Sequence, residues 1–424
     1  MSIFSSMTTD QLSQLSTTSI ANMNTSDIQS LSTTQIQAFT TSQMSAFATN
    51  VIAALTTAEL SSLTTDQISS LTTGQVGAIT TTLAAVLTGA QAAALTTSEI
   101  SSFSTAAVAA LSTTAVTSIT TTDLAKMTTA QIAALKSSQV GVLTTDQASS
   151  LTTSQINALT STTAAALTAT QTAALTTDQI SSFTTAAVAA LTTSALTAIT
   201  TTDIAKMTTT EVAALKTSQV SVLTTDQASS LTTTQINALT STEAGALTAT
   251  QTAALTTDQI SSFTTAAVAA LSNAAVAAIT TTDLAKMTST ETAALKTSQV
   301  SVLTTDQISS LTTDQISSLG TANVAALTTT QITAITTTDI AKMTAAEIGA
   351  MKSSQVGVLT TDQASSLTTS QINALTSTTA AALTATQTAV LTTDQISSFT
   401  TAAIAALTNA ALAAVTTTDI AKMT

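Results

Sequence analysis

The chain of 424 residues has no Cys, His, Trp, Tyr or Pro, and its nine basic residues are all Lys. Without Cys there is no disulfide framework and no thiolate nucleophile. Without Cys and His, the common zinc sites and the His-based catalytic triads are excluded. Twenty-two acidic residues against nine Lys leave a formal net charge of −13. A binder of nucleic acid phosphates needs the opposite balance, so no nucleic acid partner is expected. Apolar runs are short, such as "AAVAAL" from Ala106 to Leu111. A membrane-spanning helix needs about 20 such residues, so no span is expected. The opening "MSIFSSMTTDQLSQL" has neither a basic start nor an apolar run, and so does not read as a cleaved secretory signal.

What is present is Thr, Ala, Ser and Leu, with 44% hydrophobic residues. That content is ordinary for a folded protein and too high for an acidic disordered tail. Its arrangement is periodic. "LTTDQISSLTTDQISSL", Leu303 to Leu319, is one eight-residue unit written twice. Stepping by eight from Met7 through Leu15, Met23 and Leu31 to Val415 and Met423 meets Leu, Ile, Met, Phe or Val at all 53 positions. With these residues as slot one, slot six is mostly apolar (Leu12, Ile20, Ile28, Ile36), slots two and three are mostly Thr or Ser, and slot eight is usually Ala or Ser. A longer unit overlies the octad: "TTTDLAKM" or "TTTDIAKM" ends at Met127, Met207, Met287, Met343 and Met423, at spacings of ten, ten, seven and ten octads. Residues 1–62 are more varied and read as a divergent terminal cap; residues 63–424 read as the regular repeat region.

An octad cannot be one continuous helix, because its apolar slot would drift roughly 80° per repeat at 3.6 residues per turn. Nor does it match the periods of coiled coils. Two solenoids remain. In a β-solenoid, slots one and six would fall on opposite faces of a strand, and the corners would need Gly, Asn or Pro at fixed places. In a string of short helices, Thr304 of "LTTDQISS" caps the helix and Gln307 reaches back, a capping box. Every acidic residue lies in slot four or five (Asp10, Asp66, Asp123, Glu211, Asp419 among them), the first turn of such a helix, where its dipole favours anions. The Lys lie in slot eight or two, read as the helix end. The expected fold is therefore all-α, a solenoid of short capped helices, one per octad, with β-solenoid as the alternative. Slots one, six and eight are expected to build the core. The number of octads per coil stays open, because intervals of ten and seven octads share no common factor.

No catalytic, cofactor-binding or metal-ligating residue is expected, and no enzyme activity. The carboxylates recur singly, without the clustered Asp and Gly of a calcium loop. Met127 and its equivalents, and six of the seven Phe, lie in slot one and read as core. Lys126 and Lys136, with their repeats Lys206 and Lys216, Lys286 and Lys296, and Lys342 and Lys352, place a basic spot once per long unit. Local pairing with Asp123 and its equivalents is the favoured reading of these Lys; lateral contact between rods is the other.

The rhythm of "LTTDQISSL" and "LTTSQINAL" resembles octad-repeat regions of secreted bacterial repeat proteins, often loosely labelled haem utilisation or adhesion proteins. The resemblance covers nearly the whole chain. It implies export without a cleaved N-terminal signal, through a one-step channel that reads a C-terminal signal, and hence an extracellular or cell-surface location. Haem binding does not fit a chain without His. The function expected is structural: a solenoid that stacks end to end into an extracellular filament or surface layer, with itself and a cell surface as partners. The alternatives are an adhesin stalk and an ice-binding or other surface-binding module.

Overall fold

Each octad closes its own turn of helix. In "LTTDQISSL", Thr304 accepts the backbone N–H of Gln307 at 3.1 Å, and Gln307 Oε1 accepts the backbone N–H of Thr304 at 2.9 Å. This capping box removes two orphan donors of a helix that runs only from Thr305 to Ser310. A helix of this length has no stability alone. It ends because slot one and the next slot two are both extended: Leu311 has φ −60°, ψ 138°, and Thr312 has φ −73°, ψ 160°. Both are ordinary backbone conformations for L-residues, so the corner needs no Gly or Pro. Gly320, with φ 81°, is the one positive φ among the described residues.

A computed structural model describes residues 3–422. Among them are 52 α-helices of four to six residues, one short 3₁₀ turn at Ile3–Ser6, and no strand. The all-α solenoid is the observed architecture, and the β alternative is not. Met423 lies outside the described residues.

The helices stack with a period of three. The helix Thr9–Ser13 packs on Thr33–Gln37, Gly89–Ala94 on Thr113–Ser118, and Ser377–Ala380 on Thr401–Ala406. One coil is thus three octads, and each coil has three sides. The chain forms two compact units, one ending at Leu215 and one starting at Lys216. Each unit is built of the same three-helix coils.

The core differs from expectation in one slot. Slot six is sealed: Ile68, Val116, Ile156 and Ile260 are fully buried. Slot one is nearly so, with Leu63 and Leu143 at 4% exposure; Leu15, in the first coil, is only half-buried. Slot eight does not join them. Its Ala and Ser are half-buried at the corners, and Val142 there is 40% exposed. The third inward ladder is slot five, chiefly Gln: Gln75 and Gln155 are 1% exposed.

A buried Gln must find partners for both ends of its amide. The oxygen is used by the capping box. The nitrogen reaches one coil back: Gln155 Nε2 donates to the carbonyls of Leu124 at 2.9 Å and Met127 at 2.7 Å. The Leu124 carbonyl ends the helix beneath and also accepts the backbone N–H of Met127 at 3.1 Å, and the Met127 carbonyl lies in the corner that follows that helix. One side chain therefore starts its own helix and finishes the helix below. Repeated along each side, at Gln43, Gln67, Gln91, Gln131 and Gln363 among others, it fixes the register between coils.

Candidate functional site

Slot five is also where the acids are buried. Glu59, Glu99, Glu211, Glu291 and Glu347, together with Asp123, Asp203, Asp283 and Asp339, are all under 9% exposed. A carboxylate can accept the cap but, when ionised, cannot donate to the carbonyls beneath it. The structure resolves this conflict in two ways and leaves it standing at one residue. At Asp203 and Asp283, a slot-three Thr of the coil below supplies a donor: Thr177 Oγ1 and Thr257 Oγ1 each lie 2.6 Å from the Asp Oδ1. At Glu347, the backbone N–H of Gly320 donates to Oε1 at 2.9 Å. At Glu211 nothing does. Its Oε2 takes the backbone N–H of Thr208 at 2.6 Å and the Thr208 hydroxyl at 2.8 Å, while Oε1 is buried and accepts no hydrogen bond among the described residues. Burial, the largest influence, pushes the Glu211 carboxyl above its ordinary value, and it does the same at Glu99, where the charge of Asp123 adds to it.

An open groove of about 690 Å³ runs past Glu211, lined by Asn157, Ser181, Ser182, Phe183 and Thr210. Its polar wall is largely self-satisfied: Asn157 Nδ2 donates to the Ser182 carbonyl at 3.1 Å, and Ser182 Oγ to the Asp178 carbonyl at 2.5 Å. A similar groove recurs beside Asn373 and Phe399. Among the described residues, no three acidic side chains converge as a metal site would require.

The slot-one residues singled out by sequence are where they were expected. Met127, Met207 and Met287 are 4% exposed and packed in the core, and Phe103, Phe183 and Phe263 are buried there too, at 3–5%. Phe39 and Phe47 meet edge to face at 5.1 Å between ring centres. The Lys depart from expectation twice. The slot-two Lys do not end a helix; they begin one. Lys136 is the N-cap of Ser137–Val140 through its backbone: its N–H donates to Gln139 Oε1 at 2.7 Å, and its carbonyl accepts the N–H of Gln139 at 2.9 Å and of Val140 at 3.0 Å. A positive charge there opposes the helix dipole. The favoured local pairing with Asp123 and its equivalents also fails. Among the described residues one Lys forms an ion pair, Lys422 with Asp394 at 3.7 Å, and Asp123 accepts instead from the Thr120 hydroxyl at 2.5 Å.

The slot-two Lys are set apart from the slot-eight Lys. Lys206, Lys286 and Lys342 stand to Asp178, Asp258 and Asp314 in sequence as Lys422 stands to Asp394. Around Lys136, Lys296 and Lys352, slots four and five of the octads stacked directly below and above hold only Thr, Ala, Gln or Asn. In the same octad as each slot-two Lys, on the same side of the coil, slot eight is an exposed Val: Val142, Val222, Val302 and Val358, at 37–40% exposure. These four make up half of the exposed large apolar residues among those described. Sequence reasoning marks the Lys but not the Val, since it assigns slot eight to the core.

No helix among the described residues is long and apolar enough to cross a membrane. No curated protein matches the chain. The model of the ALTTAQ repeat matches seven times, at residues 20–57, 44–81, 116–153, 196–233, 204–241, 276–313 and 332–369, together more than half of the sequence. The octad solenoid described above is thus a run of that motif, and the chain belongs to the ALTTAQ repeat family.

Proposed function

We propose that the protein is structural and not catalytic, a solenoid that assembles end to end into an extracellular filament or surface layer. One observation carries the reading. In interior coils the slot-six side chain is sealed by the next coil, as Leu284 and Val276 are at 0% exposure. Leu412 and Ile420 hold the same slot. A coil of a second copy supplies the same octads in the same register, so the contact is head to tail and does not close on itself. The extracellular setting rests on the likeness to secreted octad-repeat proteins and is part of the proposal.

Electron microscopy and light scattering of the purified chain over a concentration series test this. Filaments that shorten or vanish in Leu412→Asp and Ile420→Asp support stacking. Single particles of one size at every concentration would refute it and favour a stalk that presents a distant tip.

A further inference from the structure

We infer that each slot-two Lys with its exposed Val is a lateral docking surface for a second copy of the chain, taken by that copy's exposed slot-four Asp. This rests on the self-assembly reading above and adds a sideways contact to it.

Three features point to a copy of the chain as the occupant. The first is charge. The slot-four acids, Asp226, Asp258, Asp306, Asp314, Asp362 and Asp394 among them, are exposed, on a chain of net charge −13. The slot-two Lys are exposed, form no ion pair among the described residues, and interrupt that acidic surface. The pair Lys422–Asp394 shows a Lys of this chain reaching a slot-four Asp across one coil. The second is apolar exposure in the same octad as the cation. Val142, Val222, Val302 and Val358 are four of the eight exposed large apolar residues among those described, and a contact centred on them buries area that an isolated surface ion pair would not.

The third is phase. In the unit that starts at Lys216, the patches succeed one another after ten and then seven octads, at Lys216, Lys296 and Lys352. With three octads to a coil, each interval is a whole number of coils plus one octad. Successive patches therefore move to the next side, and this unit carries one on each of its three sides. The exposed Asp keep to the same scheme: Asp226 and Asp394 share the side of Lys296, Asp258 and Asp306 that of Lys352, and Asp314 and Asp362 that of Lys216. Every side thus holds both halves of the contact, separated by two or more coils, so they meet between copies and not within one. The short interval omits three octads, a full coil, and so leaves the phase intact. Sides that all carry both halves build an array of neighbours around each copy and not a two-membered ribbon.

The test uses the full chain imaged by electron microscopy, with sedimentation, at about 0.05 M and about 0.5 M NaCl, since the Debye length shrinks severalfold over that range. The expected result is side-by-side association at low salt, lost at high salt and lost in Lys216→Glu/Lys296→Glu/Lys352→Glu, while end-to-end filaments persist. A second variant, Val222→Ser/Val302→Ser/Val358→Ser, keeps the charges and is expected to weaken the association without removing its salt dependence. All six positions are exposed, and circular dichroism confirms the fold of each variant. Wild-type chains that never associate sideways, or association unchanged by charge reversal, would overturn the inference. Leu412→Asp separates the two readings: it is expected to remove filaments and leave lateral association. Filaments absent in the wild type with lateral association present would sink the end-to-end proposal alone.

Discussion

The side-chain nitrogen of Gln75 lies 2.8 Å from the carbonyl oxygen of Met44, which stands 31 residues earlier and one coil below. It also lies 2.8 Å from the carbonyl of Phe47, while Gln75 Oε1 accepts the backbone N–H of Thr72 at 2.7 Å. Three backbone groups from two helices thus meet on one amide. The Met44 carbonyl also accepts the backbone N–H of Phe47 at 3.3 Å, so Gln75→Ala leaves two of the three, the Phe47 carbonyl and the Thr72 N–H, without a partner, and each buried orphan costs roughly 1–3 kcal/mol. A local destabilisation on the order of 3 kcal/mol is expected. Because solenoid coils depend on their neighbours, hydrogen exchange should quicken around residues 44–79 and leave distant coils unchanged.

Glu211 is the inverse case, an acid in the slot that favours an amide. Burial raises its carboxyl above the ordinary 4.5. The folded chain therefore holds the proton more tightly than the unfolded chain does. The stability this contributes is full below the unfolded value and is lost as pH rises through the folded value. Glu211→Gln removes the titration and restores the donor toward the helix below. The variant should match the wild type at pH near 4 and exceed it at pH 7, by about 1–3 kcal/mol, the cost of one buried unsatisfied group. Melting curves across that range check it; a stability gap that does not change with pH would contradict the assignment.

The coil length offers a different kind of test. Excision of three octads, residues 87–110, removes one coil and returns every later residue of the unit that ends at Leu215 to its side. Excision of one octad, residues 263–270, rotates every later residue by one side. The partner position of Asp283 in the coil below is then filled by Ala249 instead of Thr257, and the 2.6 Å hydrogen bond has no donor. The first deletion should keep the melting temperature near that of the parent, and the second should lower it.

That coil length is within reach of the sequence. Ten and seven octads have no common factor, but their difference, three octads, is the coil. Insertions and losses in a solenoid preserve the side on which each residue sits, so differences between intervals carry the period and the intervals themselves do not. The capping box at Thr304 and Gln307 is legible because both partners lie within one octad. The second use of the Gln amide is not, because its partners stand 28 and 31 residues away and are carbonyls, which any residue supplies. For the same reason slot eight reads as core: Ala suits a tight corner as well as an interior, and only the exposed Val142 distinguishes the two. The Lys136 position misleads because slot two comes after one helix and caps the next, and a pattern eight residues long does not say which helix owns it.

Gly320 shows how a backbone donor can stand in for the missing amide. It occupies slot two, where Thr is usual, with φ 81°, and its N–H turns upward to Glu347 Oε1 at 2.9 Å. A Cβ there would meet nothing within 4 Å, so space does not require Gly; the left-handed backbone does. Gly320→Thr has two courses. If the backbone keeps its φ, the β-branched residue costs about 1–3 kcal/mol of strain. If it relaxes to the extended form of the other caps, the N–H leaves Glu347, whose Oε1 becomes as unpartnered as that of Glu211. A double substitution separates the two courses. In the relaxed case Glu347→Gln, which restores the usual amide in slot five, recovers the loss. In the strained case the loss is the same with Gln at 347. The relaxed course is expected, because a Thr at 320 can form the side-chain cap that Gly320 lacks and that most other helices of the chain have. A loss in Gly320→Thr that is absent from Gly320→Thr/Glu347→Gln, read from melting curves, would then assign to Gly320 the task of pairing one buried carboxylate.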